Sequence, residues 1–247
     1  MSAADQRESP GSSRGEGVKY SSRFLDRPAA ITAATLLAGN HRRLRHVRAV
    51  AAKAECLARH LDDLDRDVLI EAAWLHDVGY ATSLVDTGFH PIDGARWLSA
   101  LDEARLAGLV AHHSCSFHEA NLRGLGDALG AFQNESSPVT ALLTVADLTT
   151  GPEGEDLTLD ARIAEVTHRY GPDHIVSRSW SLAFEDAQRL FVLADAITAT
   201  SMGQPDPLVA YDRRRVRGHL TDGSPGRGSH RLPIETGTGI ANGAQLG

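Results

Sequence analysis

The chain has 247 residues, of which 42% are hydrophobic and 23% charged, an ordinary composition for a globular protein with a sizeable core. A net charge of −7 and a pI of about 5.9 argue against a nucleic-acid polymer as partner, since proteins that bind one usually present a basic face. No run approaches the roughly 18 apolar residues that a membrane-spanning helix needs, so we expect no membrane partner.

Two features of the sequence lead us to expect a cytoplasmic protein. It contains two cysteines, Cys56 and Cys115, which is too few for a disulfide framework and is typical of thiols kept reduced. The first residues, MSAADQRESPGSSRGEG, lack the apolar core of a secretion signal, so we do not expect export.

The two ends of the chain differ in composition from its middle. Residues 1–20 and 203–247 are polar and rich in Gly and Ser, as in the stretches GSPGRGSH and TGTGIANGAQLG. Segments of this kind bury too little apolar surface to fold, so both are predicted to be disordered tails. A single folded domain is predicted between them, over residues 24–200.

The middle of the chain has the apolar spacing of helices, and no segment alternates as a strand would. Asn40 is predicted to cap a helix with an apolar stripe over 44–61, and Asp65 to cap a second helix that ends at Gly79. Further helices are predicted from Pro91, over 103–113, from Ser137 and Pro138, from Thr158 to Tyr170 before Gly171, and from Ser179 to about Thr198. The predicted fold class is all-α, with one bundle-like core.

Several imidazoles and carboxylates fall where these helices should bury apolar residues. His76 follows Ala72 by four residues and Asp147 follows Leu143 by four, so both lie on buried stripes. Other histidines lie beside such stripes or at helix ends, namely His46, His90, His112 and His113. Any one of them alone is more commonly a hydrogen-bonded core residue than a ligand. As a set converging in one bundle they need a shared partner, and a metal ion supplies one.

The mixture of imidazole and carboxylate narrows the choice of metal. Imidazole suits Fe, Mn, Co, Ni and Zn, whereas Mg or Ca would be held by oxygens with few histidines. A structural zinc would normally use cysteines, and Cys56 and Cys115 lack the paired spacing of such sites. We therefore expect a divalent transition metal, with Mn, Fe, Co or Ni favoured over Zn.

Three segments that carry these residues resemble a known family. LRHVRAVAAKAECLA contains His46, AAWLHDVGY contains His76 and Asp77, and TALLTVADLTT contains Asp147. Together they are similar to the signature of the HD-domain superfamily of metal-dependent phosphohydrolases, over roughly residues 40–150. The resemblance implies an all-α HD domain in which these four side chains hold one metal ion.

Two further segments extend the resemblance to branches with a second metal ion. FHPIDGARWL is similar to the His-Pro…Gly segment of the HDIG and HD-GYP branches, and LAGLVAHHS to their double histidine. The resemblance implies that His90 and His112, with His113 as a further candidate, hold a second ion and that Asp77 bridges the two. After the double histidine, SCSFHEANLRG replaces the GYP motif, so cyclic-di-GMP hydrolysis is not expected. The acidic pair of ppGpp hydrolases does not follow HDVGY either.

The resemblance implies hydrolysis of a phosphomonoester or a nucleotide, which is a small anionic substrate that contains phosphate. The metal ions would lower the pKa of a water molecule so that it attacks phosphorus as hydroxide, and Asp77 would position it. Basic side chains would hold the phosphate oxygens. The candidates for this role are Lys53, Arg96 and Arg45.

Two other classes of function remain open on the sequence alone. A mixed-valent di-iron oxygenase on the same scaffold would use the same six ligands, His46, His76, Asp77, His90, His112 and Asp147. Substrate-dependent oxygen consumption would distinguish it from a hydrolase. A regulatory module that senses a nucleotide without catalysis usually lacks some ligands, and here none of the principal ones is missing.

Overall fold

Helices make up the regular structure of residues 27–200, the part of the chain that the computed structural model describes. They are α1 Pro28–Leu36, α2 His41–Ala58, α3 Asp63–Leu75, α4 His90–Ser99, α5 Ala104–His112, α6 Phe117–Leu122, α7 Gly126–Gly130, α8 Pro138–Leu148, α9 Leu159–Tyr170 and α10 Ile175–Thr200, with 3-10 turns at Val78–Tyr80 and His113–Cys115. Across 27–200 the β-type pairing is confined to an isolated bridge between Thr150 and Asp156, so the predicted all-α class is confirmed. None of the described helices is both long and apolar enough to cross a membrane. The tails predicted at 1–20 and 203–247 lie outside the described residues.

Three of the predicted helix starts are confirmed by hydrogen bonds at the caps. The Asn40 side chain accepts from the backbone N–H of Arg43 at 3.1 Å and begins α2. Ser137 caps α8, and Thr158 is the cap of α9, one residue before the helix itself. Gly171 closes α9, as predicted. Short polar side chains before an apolar run therefore predict these boundaries well.

Three predicted boundaries are wrong by a few residues. The cap of α3 is Asp62, whose carboxylate accepts from the backbone N–H of Asp65 at 2.9 Å, so Asp65 lies in the first turn. The same helix ends at Leu75, before Gly79, because the chain leaves α-geometry at Asp77 and forms a 3-10 turn. The last helix, α10, begins at Ile175, one turn before the predicted Ser179. Helices α1, α6 and α7 were not predicted.

Helices α2, α3 and α8 form the centre of the bundle. They pack against one another, while α4 pairs with α5 and α10 lies along α8. The core between them is apolar and closed to solvent, with Val47, Ile70, Trp74 and Leu142 each at most 1% exposed. Because α2 and α8 cross next to the end of α3, polar side chains on their inner faces are brought together inside this core.

Two glycines allow the turn after α3 to press against the start of α4. A Cβ atom added to Gly79 would lie 2.0 Å from the carbonyl oxygen of His90 and 2.7 Å from the backbone nitrogen of Gly94. A Cβ atom on Gly94 would lie 3.2 Å from the backbone nitrogen of Gly79. This contact fixes the distance between the His76–Asp77 pair and His90, so these glycines help to place the site.

We expect the substitution Gly79→Ala to lower the free energy of unfolding by about 1–3 kcal/mol or more, since the added methyl group overlaps backbone atoms that cannot move aside alone. Chemical denaturation followed by circular dichroism measures this. Gly39→Ala is the matched control, because nothing lies within 4 Å of its added Cβ. Equal denaturation midpoints for the two variants would contradict the close approach.

Candidate metal centre

Four buried side chains from three parts of the bundle meet in a first group. His46 comes from α2, His76 and Asp77 follow α3, and Asp147 lies in the last turn of α8. His46 Nε2 lies 2.9 Å from Asp147 Oδ1 and 3.4 Å from His76 Nε2. His76 Nε2 lies 3.3 Å from Asp77 Oδ2. All four residues are at most 6% exposed, so the group is closed to bulk water.

A second group of side chains shares Asp77 with the first. His90 Nε2 lies 3.2 Å from Asp77 Oδ1 and 3.3 Å from His113 Nε2. His113 Nε2 is 4.0 Å from the same carboxylate oxygen. Within residues 27–200, His46, His76 and Asp77 can together hold a metal ion, and so can Asp77, His90 and His113. Asp77 therefore presents one oxygen to each of two possible metal positions.

The structure does not bring His112 to this cluster. Its Nε2–H donates to the carbonyl oxygen of Phe132 at 3.0 Å, on another side of the bundle. The helix α5 ends at His112, and the backbone turns at His113, where ψ is 147°. Ser114 and Cys115 then adopt positive φ angles of 52° and 58°. This turn directs His113, the further candidate, into the cluster in place of His112, which the resemblance implied for the second position.

The ring nitrogens of the cluster are arranged to receive a cation. The Nδ1–H groups of His46, His76 and His113 donate to the backbone carbonyls of Gly151 at 3.0 Å, Ala73 at 2.8 Å and Val110 at 2.6 Å. When neutral, each of these rings directs its Nε2 lone pair toward the other rings and the carboxylates.

Such contacts between acceptors are repulsive unless a proton or a metal ion lies between them. The 2.9 Å separation between His46 Nε2 and Asp147 Oδ1 is one example. Histidine ligands of metals usually donate their second N–H in this way, so the donor set fits a divalent transition metal.

Both carboxylates of the cluster remain ionised. Burial would raise the pKa of Asp77, but the Arg43 guanidinium and His76 hold it well below its usual range. Burial likewise opposes ionisation of Asp147, and the neighbouring His46 and His76 lower its pKa below the usual range. Two buried anions are thus available to offset the charge of bound cations.

The buried imidazoles differ in their affinity for protons. Burial, followed by the neighbouring His90 and His76, lowers the pKa of His113 to about 4, so this ring is neutral at pH 7. Burial also disfavours the charged form of His76, but the adjacent Asp77 carboxylate outweighs it and raises the pKa of His76 to about 8. Without metal, His76 therefore carries a proton at pH 7 that a metal ion must displace.

We expect metal binding at pH 7 to release about one proton per chain, because the pKa of His76 is about 8 in the absence of metal. The affinity for Mn²⁺ should fall as the pH drops below 8, since the protonated ring offers no lone pair. Calorimetric titrations in buffers of different ionisation enthalpy measure the released protons. Heats that do not depend on the buffer would contradict this charge state.

Comparison with known protein families gives one clear match. The family described as "HD domain" matches residues 43–169, just over half of the chain and the segment that contains every residue of the cluster. The chain belongs to the HD domain family. HD domains bind divalent metal ions and are generally metal-dependent hydrolases, which agrees with the donor set of this HD domain. No curated protein and no solved structure matches the chain at a significant level.

The three basic residues proposed from sequence to hold substrate bind other partners in this HD domain. Arg45 and Arg96 are exposed and form ion pairs with Glu153 and Asp86. The Lys53 ammonium group donates to the carbonyl oxygen of Thr149 at 2.7 Å and lies 2.8 Å from Asp156. Their contacts fasten loops to α2 and α4. Burial lowers the pKa of Lys53, and the charges of Asp156 and Asp147 partly offset this effect.

A basic residue that hydrogen-bonds directly to the cluster is Arg43, which the sequence did not single out. Its Nη1 lies 2.6 Å from Asp77 Oδ2, and its side chain is 19% exposed. Arg43 precedes His46 by three residues on α2, so the two lie on the same face of the helix. That spacing was the signal that could have identified it.

Two other contacts support the cluster from outside. The hydroxyl of Ser114 donates to Asp147 Oδ2, on the side of the carboxylate opposite His46. The loop after α8 supplies the carbonyl of Gly151 to His46 and is tied back to α2 by Glu153, which pairs with Arg45. No motif in the sequence indicated that this loop orients His46.

Proposed function

We propose that this HD domain hydrolyses a phosphomonoester or a nucleotide with the help of two divalent transition metal ions, Mn, Fe, Co or Ni. The observation that carries the proposal is the position of Asp77. Its Oδ2 faces the histidines of α2 and α3, at 3.3 Å from His76, and its Oδ1 faces the second group, at 3.2 Å from His90. A carboxylate shared in this way is the usual bridge of a binuclear site.

The proposed ligands divide into two sets that share one residue. The first ion would be held by His46, His76, Asp77 and Asp147, and the second by Asp77, His90 and His113. When bound, such ions lower the pKa of a water molecule and neutralise the charge of a phosphate group.

The protein supplies orientation and charge around the reacting phosphate. The backbone carbonyls that accept from Nδ1 fix the ring planes, so the ligands need little reorganisation. Asp77 is ionised at neutral pH and therefore holds no proton to donate. Arg43 uses one of its five donors on Asp77. Its remaining donors can bind phosphate oxygens with charge-assisted hydrogen bonds.

The arginine also supports a phosphate-containing substrate. A partly exposed guanidinium beside the metal positions provides charge and hydrogen bonds for a phosphate group. We therefore propose a small anionic substrate, and neither a nucleic-acid polymer nor a membrane as partner. We also propose that the enzyme is cytoplasmic, and the free thiols of Cys56 and Cys115 support this location.

The test of the function is phosphate release from a panel of nucleoside monophosphates, sugar phosphates and p-nitrophenyl phosphate by full-length protein loaded with Mn²⁺ or Fe²⁺. We expect release that a chelator abolishes and that added metal restores. Substrate-dependent oxygen uptake without phosphate release would favour an oxygenase. Nucleotide binding without turnover would favour a regulatory module.

Replacing Arg43 should weaken substrate binding. Loss of charge-assisted hydrogen bonds worth about 1.5–3 kcal/mol corresponds to a fall in kcat/KM of roughly 10- to 150-fold for Arg43→Ala. Arg43→Lys should recover only part of this, because an ammonium group cannot bind in the same bidentate manner. The control is Arg189→Ala, which removes an exposed arginine that pairs with Asp186 on α10 and should change kcat/KM less than twofold. Equal losses for Arg43→Ala and Arg189→Ala would exclude the assignment.

A further inference from the structure

Tyr80 contacts both the arginine and a histidine of the second group. The Cζ atom of Arg43 lies 4.1 Å from the centre of the Tyr80 ring. The His90 imidazole stacks on the same phenol ring, with ring centres 4.1 Å apart and planes inclined by 16°. One aromatic side chain therefore touches the proposed phosphate-binding residue and a proposed metal ligand.

The position of Tyr80 is set by the backbone that also places Asp77. Tyr80 ends the 3-10 turn that follows the His76–Asp77 pair, and its N–H donates to the carbonyl oxygen of Asp77 at 3.1 Å. The same turn is held against α4 by the close approach of Gly79 to His90. The backbone of Tyr80 is therefore held in place, so its ring can orient Arg43 and His90.

Core packing does not account for an aromatic residue at this position. Tyr80 is 37% exposed, whereas the buried aromatic Phe89 nearby is 2% exposed. A guanidinium stacked on an aromatic face is attracted by the ring and is restricted to a plane parallel to it. A stacked imidazole is restricted in the same way. The contacts on Tyr80 therefore limit the rotamers of Arg43 and His90 together.

We propose that Tyr80 is a positioning residue, which holds the Arg43 guanidinium toward the phosphate and the His90 ring toward the second metal ion. The proposal rests on the proposed function for the identity of the two ligands. It assigns to the aromatic ring a role that its hydroxyl group does not share. The contacts in question are those of the ring face, and the phenol oxygen forms no part of them.

The experiment compares Tyr80→Phe, Tyr80→Leu and Tyr80→Met in the full chain by calorimetric titration with Mn²⁺ and then with inorganic phosphate. Tyr80→Phe keeps the ring and should match the wild type within about threefold in both affinities. Tyr80→Leu and Tyr80→Met keep apolar bulk but lose the ring. They should weaken both phosphate binding and the second Mn²⁺ by about tenfold, the size of a cation–π contact, and leave the first Mn²⁺ unchanged.

Phe117 offers a matched control. Its exposed ring lies against the His118 imidazole with centres 3.8 Å apart, so Phe117→Leu removes an aromatic contact of the same kind from another histidine. This variant should leave Mn²⁺ and phosphate affinities unchanged.

Three results would overturn the proposal. The first is that Tyr80→Leu and Tyr80→Met both bind Mn²⁺ and phosphate as tightly as the wild type. The second is that Tyr80→Phe loses as much affinity as Tyr80→Leu. The third is that the wild-type protein binds neither Mn²⁺ nor phosphate. Binding and hydrolysis are measured separately. If the wild type binds both ligands and releases no phosphate from any substrate, the proposed function fails while the role of Tyr80 is still decided by the variants.

Discussion

The substitution Asp77→Asn is expected to remove both metal ions and to lower kcat by at least about 10³-fold, because several kcal/mol of charge stabilisation are lost with them. Within residues 27–200, Asp77 is the carboxylate shared by both groups of histidines, with its oxygens 3.3 Å from His76 and 3.2 Å from His90. Asparagine has nearly the same volume, so the buried packing is preserved while the charge is lost. Metal content by mass spectrometry and phosphate release on the same sample measure both effects.

A carboxylate outside the centre provides the comparison. Asp186 lies 2.8 Å from His118, so Asp186→Asn removes an Asp–His pair that links α6 to α10. This variant should keep the wild-type metal content and rate. An Asp77→Asn protein that still carries two metal ions would show that the shared carboxylate is not what holds them.

The second large effect is expected on metal binding when His113 is replaced, and it distinguishes His113 from its neighbour His112. His113→Gln should lose one of two metal ions, with the affinity of that ion falling at least about 100-fold, the upper end of what loss of an outer-sphere partner costs. The ring of His113 is 3.3 Å from His90 and 4.0 Å from Asp77. Titration with Mn²⁺ followed by electron paramagnetic resonance counts the bound ions and detects their coupling.

His112→Gln is the natural control, since the glutamine amide can replace the bond from His112 to the Phe132 carbonyl. It should retain two coupled ions. The reverse outcome, with loss of an ion in His112→Gln and retention of both in His113→Gln, would restore the assignment that the double-histidine motif suggested.

Residues inside regular helices could be placed from sequence. The periodicity that fixes the apolar stripe of α2 also fixes the direction of His46, and the same holds for Asp147 on α8. Helix capping by Asn40 and Ser137 follows from local chemistry alone. The all-α class and the first group of site residues were therefore predictable.

Helical periodicity could not predict which of His112 and His113 faces the cluster, because the helix ends between these two residues. Helix α5 ends at His112, and the direction of His113 depends on a turn in which Ser114 has a φ of 52°. Non-glycine residues rarely adopt that conformation, so no local signal in the sequence indicates it.

The partners of Arg45 and Lys53 show a second limit of prediction from sequence. Long charged side chains point toward partners that lie far away in sequence, such as Glu153 for Arg45 and Asp156 for Lys53. Spacing along α2 cannot reveal such partners. Arg43 differs because its partner Asp77 belongs to the motif itself, and its position three residues before His46 already put it on the correct face.

The most direct test of a binuclear centre is the metal content of the full-length protein, purified without chelator and measured again after reconstitution with Mn²⁺ or Fe²⁺. We predict close to two transition metal ions per chain, held by His46, His76, Asp147, His90 and His113 around Asp77. A chain that binds no transition metal even after reconstitution would contradict the account, and the histidines and carboxylates would then be a proton-sharing network within the core.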